Sequence, residues 1–374
     1  MRTSEQQFRE HLLKNASRYF ADVSEHAASV DLVRKAERPN SQLYEFRLTD
    51  GRAIHHVFVK VPFSTTDAIS DQTTTRSDYE RPRLFPKANP QLKGLFEYRS
   101  LRAIQDYFGQ LNDARFGTIR ILDLLVDPYT IIMEKGHDRS FGDLFRKAHR
   151  LRPESLVDRL SIGCRNSGAW LRAFCGSSPL AHCETRHSRA KEVQADLGAF
   201  IEFASDNGGG RRFRHELHRG LFEAAESILP ARLPLGIAHT DFAPRNILLS
   251  HDGRVTVFDS MSRWRAPIYE DLAYFLIRLK VSVPQMMSQG VLFDASTLAR
   301  LENEFLCGYF ERQPVPMAQI RLYECILLLD QWAAMVYRLR KSHGVYRIAV
   351  QFQTQLAQRY LSRYICWKLS EIAA

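Results

Sequence analysis

HTDFAPRNILLSHDGRVTVFD, residues 239–259, is the stretch of sequence that decides the fold of this chain. Asp252 and Gly253 stand between two short apolar runs, residues 247–249 and 255–258. An Asp-Gly pair between such runs predicts a β-hairpin with a two-residue loop. The hairpin in turn predicts which polar side chains meet at its open end.

The loop sets the register of the predicted hairpin. We expect His251 to pair with Arg254 across the loop. Counting outward then brings Asn246 opposite Asp259, and directly opposed residues lie on one face with Cβ atoms about 5 Å apart. An amide oxygen beside a carboxylate suits Mg²⁺, which keeps waters and substrate phosphates in the rest of its shell. Asp241, on the preceding loop, is placed to take a proton from a nucleophile that attacks such a phosphate.

The spacing of these residues resembles the catalytic loop of the protein-kinase-like fold. That loop reads His-x-Asp-x-x-x-x-Asn, and a metal-binding Asp follows at the end of the next strand. Here the residues are His239, Asp241, Asn246 and Asp259. Within the fold, the chain resembles the aminoglycoside phosphotransferase and choline kinase-like family more than the protein kinases.

The resemblance implies an α+β bilobal fold, with a small antiparallel β-sheet in the N-lobe and a mainly helical C-lobe. It also implies ATP or GTP as the nucleotide, Mg²⁺ held by Asn246 and Asp259, and Asp241 as the catalytic base. His239 is expected to brace the loop by hydrogen bonding and packing. Asp271, in EDLAYFL, matches the family's Asp-Leu-Ala, whose Asp braces the catalytic loop.

Composition is that of a globular protein. The 374 residues are 45% hydrophobic and 25% charged, enough for one large core or two lobes. The formal charge of +10 is spread along the chain, so we expect no nucleic-acid partner. The six cysteines lack paired CxxC spacing, which favours reduced thiols. With neither a membrane-length apolar run nor a signal-peptide apolar region, we expect a cytoplasmic protein; the oligomeric state is left open.

Three regions are expected along the chain. Residues 1–27 read as a polar helical extension, and residues 28–134 as the nucleotide-binding N-lobe. The N-lobe includes a Thr-, Ser-, Asp- and Pro-rich insertion at 64–90. Residues 135–374 read as the helical C-lobe, which contains the catalytic loop and the acceptor site.

The N-lobe sheet is predicted to begin with strands at 32–35 and 43–48, joined by residues 36–42, and a third strand ends in VFVKVP. Lys60 lies near that end, where the family places the lysine that holds the α- and β-phosphates. The alternative is a solvent-facing lysine on an edge strand. The loop at 37–42 has no glycine, but Asn40 and Ser41 resemble the Ser/Asn-containing nucleotide loop of small-molecule kinases.

A helix predicted at 94–108 places Glu97 as the ion-pair partner of Lys60. Glu80 is the competing candidate, but Pro82 interrupts its helix. Two further strands then lead to the expected hinge. There the resemblance implies that the Glu134 carbonyl and the Gly136 amide bind adenine.

The segment after the hairpin distinguishes among kinases. Only eleven residues separate Asp259 from Asp271, whereas a protein kinase has a longer activation segment that ends in Ala-Pro-Glu. Arg245, Arg263 and Arg265 flank the site and are either contacts for an anionic acceptor or solvated side chains.

The sequence therefore predicts a kinase that transfers the γ-phosphoryl group of ATP to a hydroxyl of a small acceptor. The acceptor would be a sugar, a glycoconjugate or an aminoglycoside-like molecule. The basic C-terminal region favours acceptors other than polycationic aminoglycosides. A nucleotide-binding pseudokinase or scaffold module is the alternative, and a protein kinase is less favoured.

Overall fold

The protein is described from a computed structural model. It describes residues 4–24, 28–38, 41–62, 81–84, 90–126, 129–148, 153–177, 183–291 and 294–373. Asn40, Glu80 and most of the expected insertion lie outside these ranges.

The N-terminal region contains one five-stranded sheet. In chain order its elements are α1 (Ser4–Lys14), α2 (Ala16–Tyr19), β1 (Ser29–Arg38), β2 (Ser41–Thr49), β3 (Ile54–Pro62), α3 (Pro90–Leu111), β4 (Phe116–Gly117), β5 (Ile121–Val126) and β6 (Tyr129–Glu134). The antiparallel sheet has the order β1-β2-β3-β6-β5.

Side chains along β3 alternate between the two faces of the sheet. Val57 and Val59 are fully buried against the outer face, where α1 and α2 also pack. Because side chains alternate along a strand, Phe58 and Lys60 point to the other face, toward α3. The two-residue period therefore directs Lys60 into the cleft between the lobes.

The loop between β1 and β2 is shorter than predicted. Glu37 pairs with Gln42 and Arg38 pairs with Ser41, so only residues 39–40 join the strands. The predicted seven-residue connection at 36–42 is wrong because these polar residues continue the strand pairing. Ser41 is buried at the start of β2 and also pairs with Pro62.

The C-terminal region is mainly helical. In chain order its elements are β7 (Arg139–Ser140), α4 (Phe141–Lys147), α5 (Glu154–Cys175), β8 (Glu184–Thr185), α6 (Ala190–Ala204), α7 (Gly210–Leu217), α8 (Glu223–Ile228), β9 (Leu235–Ala238), β10 (Ile247–Leu249), β11 (Val255–Val257), β12 (Trp264–Pro267), α9 (Tyr269–Lys280), α10 (Val283–Met287), α11 (Ala295–Phe310), α12 (Met317–Lys341) and α13 (Gly344–Ala373). Within the described ranges, none of the helices has the length and apolar character needed to span a membrane.

Two short sheets support the hairpin and the segment that follows it. One has the order β4-β11-β10-β7, and the other has the order β8-β12-β9. Strand β12 pairs antiparallel with β9, the strand that leads into the loop at residues 239–246. The chain thus returns beside its own entry strand within a few residues of Asp259 before α9 begins.

Helices α5 and α11 cross at close range because glycines face the partner helix. A methyl group on Gly308 would overlap the Arg165 carbonyl oxygen, and one on Gly168 would overlap the Phe305 carbonyl oxygen. This crossing positions Trp170 of α5 in the core beneath the catalytic loop.

Six charged side chains connect the last helices inside the core. Glu324 of α12 is fully buried and lies 3.0 Å from Lys280 of α9. Lys280 also lies 2.6 Å from Glu302 of α11. We call the set the buried charge cluster, and its members are Lys280, Glu302, Arg321, Glu324, Lys368 and Glu371.

The described end of the expected insertion contacts the C-terminal helices. Arg81 lies 2.9 Å from Asp330 of α12. Leu84 is buried, and its carbonyl accepts a hydrogen bond from Arg186 at 2.6 Å. This segment therefore joins the C-terminal region just before α3 begins.

Candidate active site

The hairpin between β10 and β11 has a three-residue loop, so the predicted two-residue loop is wrong. Ser250 pairs with Arg254 and donates its amide to the Arg254 carbonyl at 3.0 Å. Gly253 ends the loop with a φ of +88°. A three-residue hairpin places a glycine at such a left-handed position, so the Asp-Gly signal also fits this longer loop.

The longer loop shifts the register by one residue. Asn246 faces Phe258, whose amide donates to the Asn246 carbonyl at 3.1 Å. Asp259 lies one residue beyond this pair, with a φ of +64°. The left-handed backbone costs a non-glycine residue about 1–2 kcal/mol. Asp259 reaches Lys60 at 2.6 Å instead of lying directly opposite Asn246.

Lys60 connects the two lobes through two carboxylates. Its Nζ lies 2.5 Å from Glu97 Oε1 on α3 and 2.6 Å from Asp259 Oδ1. Burial lowers the pKa of Lys60, but the two carboxylates outweigh it and raise the pKa above the usual value. Burial opposes the charge on Asp259, but Lys60 lowers its pKa to about 2. Lys60 and Asp259 are therefore both charged at neutral pH.

Glu97 is the more buried of the two partners. Its side chain is 2% exposed, and Oε2 has no hydrogen-bond partner among the described residues. Burial raises the pKa of Glu97, while Lys60 opposes that change. The ion pair with Lys60 is the interaction that offsets the burial of this carboxylate.

The Asp241 carboxylate receives three hydrogen bonds. Asn246 Nδ2 donates to Oδ2 at 2.8 Å and to the Asp241 carbonyl at 2.9 Å. Arg245 Nη2 and the Tyr274 hydroxyl both donate to Oδ1, at 2.5 and 2.8 Å. The side chain is therefore held in one orientation while 28% of its surface stays exposed to the cleft.

His239 braces the loop by packing. Its ring is fully buried and contacts the aromatic rings of Trp170, Phe174 and Phe242. Burial lowers its pKa to about 4, so the ring is neutral at physiological pH. A proton-donating role does not fit this environment.

Asp271 holds the backbone of the catalytic loop from α9. Its carboxylate accepts from the His239 amide at 2.6 Å and from the Thr240 amide at 3.1 Å. Thr240 has a φ of +69°, and the second hydrogen bond fixes this strained turn. Burial raises the pKa of Asp271 to about 7, although both amide bonds act against that rise.

The expected hinge follows β6 without a break. The amides of Glu134 and Lys135 already donate to the carbonyls of Arg120 and His56, at 2.9 and 2.8 Å. A side chain on Gly136 would overlap Leu248 of the hairpin. The backbone at Gly136 therefore lies directly against the Leu248 side chain.

The three flanking arginines are not brought together. Arg245 contacts Asp241, as described above. Arg263 instead stacks over Phe96 and Trp264, with distances of 5.3 and 4.5 Å to the ring centroids. Arg265 is exposed on β12, and its carbonyl accepts from the Arg186 amide.

Three residues near the site were not predicted from the sequence. Tyr274 and Arg278 follow Asp271 on one face of α9, at the helical spacing i, i+3 and i+7. Lys93 lies one turn before Glu97 on α3 and is half-buried. Burial and then Lys60 lower the pKa of Lys93, so its amine belongs to the same electrostatic neighbourhood. Helical spacing from Asp271 and Glu97 gives the positions of all three, but nothing in the local sequence marks them as site residues.

Comparison with known proteins establishes the fold. No protein-family model matches the sequence, and no curated protein matches it. Spectinomycin phosphotransferase APH(9)-Ia, solved with ADP and spectinomycin, has 11% identity and a TM-score of 0.51, over 98% of this chain and 98% of that chain. Macrolide 2'-phosphotransferase MphH from Brachybacterium faecium has 12% identity and a TM-score of 0.50, over 93% and 98% of the two chains. The protein has the kinase-like bilobal fold of these structures, which confirms the fold predicted from the sequence.

Proposed function

We propose that the protein is an ATP-dependent kinase that phosphorylates a hydroxyl group of a small molecule. The observation that carries this proposal is the convergence of one base, two oxygen ligands and a paired lysine on a single cleft. Asp241 and Asn246 are hydrogen-bonded to each other, and Lys60 binds both Glu97 and Asp259.

Asp241 is the proposed base. Its three hydrogen bonds fix the direction of the carboxylate, and its remaining exposed surface allows an acceptor hydroxyl to approach. Phosphoryl transfer depends mainly on positioning and charge stabilisation. A rigid carboxylate beside the phosphate site supplies the positioning.

Lys60 is the proposed phosphate-binding cation, and Glu97 orients it. The 2.5 Å contact with a buried carboxylate holds the ammonium group at the cleft before a nucleotide binds. The Glu134 carbonyl and the Gly136 amide remain the proposed adenine contacts. Ser41 is buried in β2, so we propose that Ser41 itself contacts phosphate through its backbone.

The residues of the site fit Mg²⁺. Asn246 uses its amide nitrogen to bind Asp241, which leaves its carbonyl oxygen as a ligand atom beside the ionised Asp259. Among the described residues, no three His, Cys, Asp or Glu side chains form a metal site of their own. Two protein ligands, completed by waters and phosphates, are typical of Mg²⁺. When bound, the ion would neutralise phosphate charge.

The short return to α9 supports a small acceptor. Strand β12 is reached soon after Asp259 and pairs with β9 and β8, so this segment is occupied by sheet pairing. A long activation segment that would bind a polypeptide substrate is therefore not formed here. The acceptor must reach Asp241 beside α9.

The decisive experiment supplies the protein with Mg²⁺, ATP labelled at the γ-phosphate and a cellular metabolite extract. We expect mass spectrometry to detect a labelled, phosphorylated metabolite. Metal-dependent ATP binding without any labelled product across the extract would contradict the proposal and support a nucleotide-binding pseudokinase.

Two variants separate chemistry from nucleotide binding. Asp241→Asn should lower kcat by about 100- to 10,000-fold with little change in ATP affinity, because it removes only the base. Asp259→Asn should weaken Mg²⁺-dependent ATP binding, measured by calorimetry. Arg212→Gln, an exposed substitution on α7, is the control for handling and folding. Turnover like that of the wild type in Asp241→Asn would remove Asp241 from the mechanism.

A further inference from the structure

Helix α9 lines the base with a second cation. The Tyr274 hydroxyl donates to Asp241 Oδ1 at 2.8 Å, and Arg278 Nη2 donates to the same hydroxyl at 3.0 Å. The Arg278 guanidinium also lies 4.7 Å from the centroid of the Tyr274 ring. Arg278 is thus two hydrogen bonds away from the carboxylate that is proposed to take the acceptor's proton.

The charges around the base do not balance. Asp241 neutralises Arg245 at 2.5 Å. Arg278 donates to a neutral phenol, and among the described residues no carboxylate lies within ion-pairing distance of it. Its Nε is also buried without a hydrogen-bond partner in the described part of the chain. Arg278 as a whole is half-buried, which leaves the residue accessible to an anionic group of a bound molecule.

The neighbouring carboxylates already have ion-pair or hydrogen-bond partners. Glu97 and Asp259 are bound by Lys60, and Asp271 is bound by two backbone amides. None of them is available to pair with Arg278 in this arrangement. Within the described part of the chain no acid then pairs with Arg278, which makes a molecule bound beside α9 the source of the anion that we infer.

We propose that the acceptor carries a carboxylate or phosphate group that binds Arg278, while its hydroxyl lies at Asp241. This inference rests on the proposed kinase function and names the chemical class of its substrate. The hydroxyl oxygen forms a bond to the γ-phosphorus, and the bond from that phosphorus to the β–γ bridging oxygen breaks. ADP leaves with the electron pair, and the hydroxyl proton passes to Asp241.

The chemical class can be tested before the compound is identified. A metabolite extract is separated at neutral pH into the fraction retained by an anion-exchange resin and the fraction that flows through. Each fraction then receives the protein, Mg²⁺ and γ-labelled ATP. We expect label to enter a compound of the retained fraction.

The outcomes distinguish the inference from the function on which it rests. Label that enters only neutral or cationic compounds of the flow-through would overturn the inference and leave the kinase function intact. Label in neither fraction would contradict the kinase function itself and, with it, the proposal of an anionic acceptor.

Variants then test Arg278 with the labelled compound purified from the retained fraction. Arg278→Gln should raise the KM for that compound by about 10- to 100-fold, the range expected for losing a hydrogen bond to a charged group, and leave the KM for ATP unchanged. Arg278→Lys keeps the charge and should give a smaller rise. Arg212→Gln again provides the exposed control.

A merely structural Arg278 would behave differently. Its loss would lower Tm and kcat without a selective rise in the acceptor's KM, and that result would overturn the assignment. If Arg278→Gln fails to fold, Arg278→Lys and the fractionation still decide the question. Carboxylate and phosphate acceptors are separated by the mass of the labelled product.

Discussion

His239 shows how one residue can match a catalytic motif without doing proton chemistry. The motif places it two residues before Asp241, but its ring is enclosed by Trp170, Phe174 and Phe242. Burial lowers its pKa to about 4. We interpret its contribution as packing, which keeps the loop in place beneath the cleft.

This buried ring predicts a specific pH dependence of stability. The folded pKa of about 4 lies below the usual 6.5, so the unfolded state binds the proton more readily between these values. The stabilisation is complete above about pH 6.5 and is lost as the pH falls toward 4. The loss attributable to His239 is about 3 kcal/mol.

The measurement compares the free energy of unfolding in denaturant at about pH 7.5 and pH 4 for the wild type and His239→Gln. The variant cannot titrate at this position, so its stability should fall less between the two pH values. Equal losses in the two proteins would show that the ring does not carry this pH dependence.

Site residues were predictable where a motif fixed their spacing. Lys60 and Glu97 lie 37 residues apart, yet the family resemblance at the end of the third strand and the helical spacing around Glu97 led to a pair that the structure brings to 2.5 Å. Arg278 was not predicted because nothing in its local sequence distinguishes it from a solvated arginine. The proposed role of Arg278 can be inferred only from its hydrogen bond to Tyr274 and from the absence of a nearby carboxylate among the described residues.

At the scale of elements, the hairpin shows the limit of turn-based prediction. Asp252-Gly253 fits both a two-residue loop and the end of a three-residue loop. The side chain of Ser250 donates to the Arg254 carbonyl at 3.1 Å and stabilises the longer loop. Such a contact becomes visible only once the strands are paired. The existence of the hairpin was predictable, but its register was not.

Helix packing gives a prediction at the same scale. Gly308→Ala would drive a methyl group into the Arg165 carbonyl where α5 and α11 cross. We expect a loss of about 1–3 kcal/mol in the free energy of unfolding, since the backbones must separate. Thermal unfolding and denaturant titration would measure it.

Gly198 on α6 is a matched control for this substitution. A methyl group there would meet only Phe222, at an ordinary contact distance of 3.6 Å. Gly198→Ala should therefore be neutral or stabilise the helix by up to about 1 kcal/mol. If both substitutions change stability equally, the close crossing of α5 and α11 is not limiting.

At the scale of the whole molecule, the resemblance carried by residues 239–259 implied the bilobal architecture, and the order of patterns along the chain agrees with it. A three-stranded meander, a helix, two more strands and then a long helical region predict a sheet-containing lobe before a helical one. The contact of Arg81 with Asp330 was not predictable, because a polar stretch without periodicity carries no information about its partner.

The buried charge cluster should dominate the stability of the C-terminal region. Glu324 lies within 4 Å of Lys280, Arg321 and Lys368. Glu324→Gln leaves those cations undercompensated inside the core, and we expect a loss of about 3–5 kcal/mol in the free energy of unfolding. Chemical denaturation at neutral pH would measure the change.

An exposed pair provides the comparison. Glu202 and Arg214 form an ion pair in which both side chains are about half exposed. Glu202→Gln should change stability by no more than about 1 kcal/mol. A similar small effect at Glu324 would mean that the cluster is compensated in another way.

The buried charge cluster also has a consequence for the order in which the protein matures during translation. Lys368 and Glu371 belong to α13, which the ribosome makes after α9, α11 and α12. Until α13 emerges, Glu324 lacks its contact with Lys368 and Arg321 lacks its contact with Glu371, so these two ion pairs of the helical lobe cannot form. The strands of the N-lobe sheet precede these helices in the chain and can pair earlier. Newly made chains should therefore pass through a stage in which the sheet is folded and the helical lobe is still incomplete.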